Sequence, residues 1–138
     1  VLGWIMEKFR IIFVQRGKHQ PEVFEASDKA LRDGDKVLVF VEGTRCNGSK
    51  HVRAKTGAIH MALETGAPIV PIYVTRNRTP FCPVEVRIGQ PYTLGGISQD
   101  DHAACHRAAD ELLHTIYQLG GDPDADLLGK DSRLLLRS

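Results

Sequence analysis

The chain has 138 residues and a mass of 15.3 kDa, with 42% apolar and 25% charged residues and a formal net charge of +1. That is enough apolar material for one core-forming domain, and too little net charge to recruit nucleic acid or an anionic membrane through the field of the whole molecule. Cys46, Cys82 and Cys105 are odd in number, widely separated and without a C-x-x-C pair. They form neither a disulfide framework nor a metal site, which favours a reducing compartment and leaves the sequons at Asn47 and Asn77 without meaning.

Residues 1–9 read as the end of a helix, and Ile11-Ile12-Phe13-Val14 as a short strand buried on both faces, followed by a turn at Arg16-Gly17-Lys18. A helix is predicted from Pro21 to Arg32, with Val23, Phe24, Ser27, Ala30 and Leu31 on one face and Gly34 as its stop. Lys36 to Val41 reads as a second doubly buried strand that runs into Glu42-Gly43-Thr44-Arg45 and a polar loop to Lys55. A helix from Thr56 to Thr65 ends at Gly66, and Ile69 to Val74 reads as a strand whose Pro71 marks an edge or a bulge. Val84 to Ile88 alternates as a half-covered strand does. The last helix opens on the capping-box spacing of Ser98 to Asp101 and carries Cys105, Ala108, Ala109, Leu112, Leu113 and Ile116 on one stripe. Gly120-Gly121 ends it, and the residues from 120 to 138 are expected to form a flexible tail.

Strands alternating with helices imply an α/β fold, a mostly parallel or mixed sheet flanked by helices, with ligands gathered at the carboxyl ends of the strands. No apolar run reaches the length that crosses a bilayer, and no basic-then-apolar leader is present.

Chemistry concentrates at one strand end. From Arg45 to Lys55 the sequence places four permanent cations and His51 within eleven residues and no acidic residue among them. Arginine offers a planar fork of donors to phosphate oxygens, and lysine adds a mobile point charge. Gly43 and Gly48 allow backbone amides close to an anion, and Lys55-Thr56-Gly57 opens a helix whose first amides favour negative charge. A solvated basic loop is the plainer reading of the same residues. A nucleotide P-loop is excluded, because Ser49-Lys50 reverses the order that a phosphate lysine and a magnesium hydroxyl require.

Phe40-Val41-Glu42-Gly43-Thr44-Arg45, Lys55-Thr56-Gly57-Ala58 and Gly66-Ala67-Pro68-Ile69-Val70-Pro71-Ile72 resemble three successive signatures of the 1-acylglycerol-3-phosphate acyltransferases. Ile12 to Arg16 resembles the motif before them, and Ile88-Gly89-Gln90-Pro91 the segment after them, so the likeness runs from about residue 3 to 118. It implies an acyl transfer from acyl-CoA or acyl-carrier protein to a hydroxyl of lysophosphatidate or a related glycerol phosphate, in phospholipid biosynthesis. It also implies that Arg16, Glu42, Gly43, Thr44, Arg45 and Lys55 bind the acceptor, the cations by holding its phosphate. Glu42 would accept a hydrogen bond from a glycerol hydroxyl or steady Arg45; pairing with a neighbouring cation is the plainer reading. No cofactor and no metal are implied, the acyl thioester being a co-substrate. Peripheral contact with the membrane, at its cytoplasmic inner face, is implied for the full-length form.

The family's base is the histidine of a His-x-x-x-x-Asp motif, whose aspartate fixes the imidazole tautomer. None of His19, His51, His60, His102, His106 and His114 is followed five positions later by aspartate; His106 has Glu111 there. With Val1-Leu2-Gly3-Trp4-Ile5-Met6 already apolar, the expectation is an N-terminally truncated acyltransferase domain over residues 1–119, inactive alone, with the motif upstream. The other reading is a non-catalytic descendant that keeps the anion site. Val41 stands where the family usually has proline, and Ala54 where an aromatic residue is common.

Overall fold

A computed structural model describes residues 21–43, 53–75 and 83–121. By contact density the chain divides into two units, Val1–Leu38 and Val39–Ser138. The predicted segments at 1–9, 11–14 and 16–18, most of the polar loop, and the tail from residue 122 lie outside the described residues.

In the first unit the helix α1 covers Pro21–Arg32. Pro21 fits a first turn that has no use for its missing amide; Glu22 there and Lys29 and Arg32 in the last turn complement the helix dipole. Ser27 is buried and donates to the Val23 carbonyl. Phe24, expected on the covered face, is exposed. The helix stops as predicted at Gly34. Its positive φ of 87° lets the Gly34 amide reach the Leu31 carbonyl and the Asp35 amide reach that of Ala30, the paired closure of a Schellman motif.

In the second unit α2 spans Gly57–Thr65, β1 Ile72–Val74, β2 Val86–Ile88 and α3 His102–Gly120. Gly66, at φ 70°, closes α2 onto the Ala62 carbonyl. The core forms where α2 meets α3: Ile59 is fully buried against a stripe of Cys105, Ala108, Ala109, Leu112, Leu113 and Tyr117. The predicted stripe on the last helix holds, except that its final buried member is Tyr117, with Ile116 only partly covered. The helix also starts later than the capping-box reading had it. Asp101, not Ser98, is its N-cap and accepts from the Ala104 amide at 2.9 Å, while Ser98 shapes the turn before it by accepting from Asp100 and Asp101.

The sheet differs from the expectation. Among the described residues it is a two-stranded antiparallel pair, with Ile72 opposite Ile88, Tyr73 opposite Arg87 and Val74 opposite Val86. An isolated antiparallel bridge joins Ile69 to Tyr92. Pro71 lies between bridge and strand, where its carbonyl accepts from Gly89 and no amide is needed. No parallel pairing occurs among these residues, and Lys36 to Val41 makes no ladder: Leu38 and Phe40 are exposed and only Val41 is buried. A continuous apolar run is buried on both faces only if partner strands flank it.

Val84 to Ile88 does not show the expected alternation of burial, since all five residues are exposed. Val84, Val86 and Ile88 are exposed, whereas Arg87 reaches the end of α3 and donates to the Leu119 carbonyl at 2.9 Å. The helix is seated on that face by close contact. A Cβ at Gly120 would lie 2.3 Å from the Tyr73 ring, and one at Gly89 would lie 2.8 Å from Pro71 and 3.0 Å from Leu119. Gly120 is thus a packing residue inside the helix. Gly121, at φ 64°, is its C-cap.

Candidate functional site

Two buried side chains anchor the predicted site. Val41 immediately precedes Glu42, Ala54 immediately precedes Lys55, and both belong to the α2–α3 core. The Lys55 amide donates to the Val41 carbonyl at 2.7 Å, which ties the two segments together. Beyond the anchors the chain turns outward: the Gly43 amide closes a turn onto the Phe40 carbonyl at 3.0 Å. The positions where the sequence departs from the family's usual residues are therefore the buried feet of the site.

Gly43 has two reasons to be glycine. Its φ is 63°, and a Cβ there would lie 2.8 Å from Lys55 Cγ. The aliphatic stem of Lys55 therefore runs across the bare face of Gly43. Lys55 and the neighbouring Arg53 are exposed, and α2 begins directly after them. Thr56, its N-cap, makes no side-chain capping bond, and the first turn holds no acidic residue. Two cations and the positive end of a helix dipole thus share one surface, which suits an anion.

Glu42 is half-buried, and the Tyr117 hydroxyl donates a hydrogen bond to its Oε1. That partner was not among those the sequence suggested. Tyr117 is 5% exposed, and a buried phenol ordinarily finds an acceptor. The one available signal was its place four residues after Leu113 on the buried stripe.

Of the six predicted acceptor-binding residues, the structure brings Glu42, Gly43 and Lys55 together. Arg16, Thr44 and Arg45 lie outside the described residues. Among the histidines, His19 and His51 lie outside them too, His60 is half-buried on α2, and His102, His106 and His114 are on α3. His106 Nδ1 is buried without a hydrogen-bond partner, and Glu111 is exposed. No cluster of His, Cys, Asp or Glu suited to a metal occurs among the described residues.

A separate groove of about 390 Å³ lies between α3 and the sheet, with Pro71, Tyr92, Leu94, Ile97, Ala108 and Leu119 as its apolar lining and Glu111 at its side. Burial, and then the charge of Glu111, push the Tyr92 phenol above its ordinary value. No described helix is long and apolar enough to cross a membrane.

The family model described as Acyltransferase matches residues 1–75, a span that holds all six predicted site residues and ends just past β1. The chain is 29% identical to a 1-acyl-sn-glycerol-3-phosphate acyltransferase of Saccharomyces cerevisiae, over 88% of this chain and 45% of that protein. It is 30% identical to the human 1-acyl-sn-glycerol-3-phosphate acyltransferase alpha, over 77% of this chain and 41% of that protein. With the enzyme of that name from Haemophilus influenzae the identity is 26%, over 82% of this chain and 52% of that protein. The chain thus spans about half the length of these relatives. No solved structure matches it.

Proposed function

The chain belongs to the acyltransferase family, and from that premise we propose that it supplies the acceptor-phosphate site of an O-acyltransferase of phospholipid biosynthesis. The reaction moves a fatty acyl group from acyl-CoA or acyl-carrier protein to a hydroxyl of a lysophosphatidate-type glycerol phosphate. The carrying observation is the joining of Glu42-Gly43 to Lys55 at the start of α2: Lys55 crosses Gly43 and its amide is bonded to Val41.

In this reading Lys55 and Arg45 hold the phosphate oxygens, with Arg16 and Thr44 completing the contacts. Charge-assisted hydrogen bonds of this kind are short and strong, and the arginine fork adds orientation. The names of the relatives support lysophosphatidate as acceptor. The donor thioester is a co-substrate, and no metal or cofactor enters. The work takes place at the cytoplasmic face of a membrane, through peripheral contact.

The 138 residues contain no histidine followed five positions later by aspartate. We therefore assign them acceptor binding rather than proton transfer. The test is thiol release from acyl-CoA by the complete gene product, dependent on lysophosphatidate. Arg45→Ala should raise KM for lysophosphatidate about tenfold or more, on the scale of one charged hydrogen bond. An unchanged KM would remove the phosphate from Arg45.

A further inference from the structure

The last helix enters the acceptor site through one side chain. Tyr117 stands near the C-terminal end of α3, seventy-five positions from Glu42, and its hydroxyl donates to Glu42 Oε1. The family-model match ends at residue 75, and none of the six predicted acceptor-binding residues lies on this helix. We propose that Tyr117 is a positioning residue of the acceptor site, holding the Glu42 carboxylate in the orientation in which it meets the glycerol end of the acceptor. The inference rests on the acceptor-site reading above.

Three features make the phenol a fixed reference. It is buried in the α2–α3 core. Its helix is locked to the sheet at the adjacent turn, where Gly120 lies against the Tyr73 ring and Arg87 donates to the Leu119 carbonyl. Val41, one residue before Glu42, packs in the same core, so backbone and carboxylate are held from one side. Without a donor, a glutamate following an exposed turn has three rotatable bonds and no reason to settle. A carboxylate has lone pairs for several donors, so a phenol on one oxygen leaves capacity for a substrate hydroxyl. Lys55 is tied to the same segment, its amide bonded to the carbonyl of Val41, the residue before Glu42. A carboxylate fixed on the Tyr117 hydroxyl is less free to pair with a cation and cancel the charge that a phosphate needs.

The experiment is titration of the full 138-residue chain with a short-chain lysophosphatidate, for Tyr117→Phe, Glu42→Ala and the double variant. Alongside it, NMR of ring-labelled tyrosine follows the Tyr117 hydroxyl proton. The expected result is a roughly tenfold weaker affinity for Tyr117→Phe. That change should vanish in the Glu42→Ala background, because the proposal routes it through the carboxylate. A slowly exchanging hydroxyl resonance should be present in the parent and absent in Glu42→Ala. Leu113→Ala, which weakens the same helix without touching Glu42, should keep parent affinity below its own melting temperature. Equal affinity of Tyr117→Phe and parent, the same loss with and without Glu42, or an equal loss in Leu113→Ala would each overturn the proposal. Failure of the parent to bind lysophosphatidate at all is a different result, and it overturns the acceptor-site reading itself.

Discussion

Replacing Gly43 with alanine separates the backbone of the site from its charge. At φ 63° the residue is left-handed, and a non-glycine residue pays about 1–2 kcal/mol there. The added Cβ would sit 2.8 Å from Lys55 Cγ, well inside the roughly 3.5–4.0 Å at which carbon atoms attract. Lys55 is exposed and flexible, so its stem moves aside at little further cost and carries the ammonium off its line. The expected stability loss is therefore about 1–2 kcal/mol, with a weakening of glycerol phosphate binding that approaches that of Lys55→Ala. Gly34→Ala is the control. Its φ is 87°, yet nothing lies within 4 Å of the added Cβ, so it should lose comparable stability and no affinity. Chemical denaturation and calorimetric titration read both quantities. A Gly43→Ala chain that binds as tightly as its parent would refute the packing of Lys55 on Gly43 as a determinant of the site.

Four further outcomes follow from the same structure. Leu113→Ala should cost about 2–5 kcal/mol by denaturant unfolding, because the side chain is 1% exposed between α2 and α3. Asp101→Ala should cost about 1 kcal/mol, the worth of an N-cap, whereas Ser98→Ala should cost clearly less if Asp101 is the cap. Gly120→Ala gains about 1 kcal/mol of helix propensity but drives a methyl into the Tyr73 ring, 2.3 Å away. The net should be destabilising by about 1–2 kcal/mol, and a stabilised variant would contradict the seating of α3. Tyr92 should titrate above the ordinary tyrosine value, through burial first and Glu111 second. A phenol raised in the folded state contributes stability that is complete below about pH 10 and is lost as pH rises through the raised value. Glu111→Gln should lower the Tyr92 midpoint in an ultraviolet titration and leave the part due to burial.

Helices were more legible in the sequence than the sheet. Gly34 and Gly66 both close helices in the left-handed conformation, because that signal is local. The apolar stripe of α3 was legible for the same reason, since helical spacing alone puts Cys105, Ala109 and Leu113 on one side. Strands depend on distant partners. Lys36 to Val41 has the composition of a buried strand, but composition does not say whether a neighbour lies alongside Phe40. Val84 to Ile88 shows its period in sequence, but all five residues are exposed, and the contact with the end of α3, some thirty residues later, runs through Arg87 and the Leu119 carbonyl. In the site, the nearness of Glu42-Gly43 and Lys55 could be expected from consecutive signatures. Tyr117 could not, because its partner lies seventy-five positions away and the pair meets only when α3 packs against Val41.

The proposal at the centre is recognition of the phosphate of a glycerol lipid through a site that includes Lys55 beside Gly43. Direct binding tests it most plainly: the 138 residues titrated with short-chain lysophosphatidate and, in parallel, with the monoacylglycerol that lacks only the phosphate. Lysophosphatidate should bind more tightly than the monoacylglycerol by tenfold or more, with the advantage shrinking at high salt and in Lys55→Ala. Equal affinity for the two lipids, or an advantage indifferent to Lys55, would contradict the account.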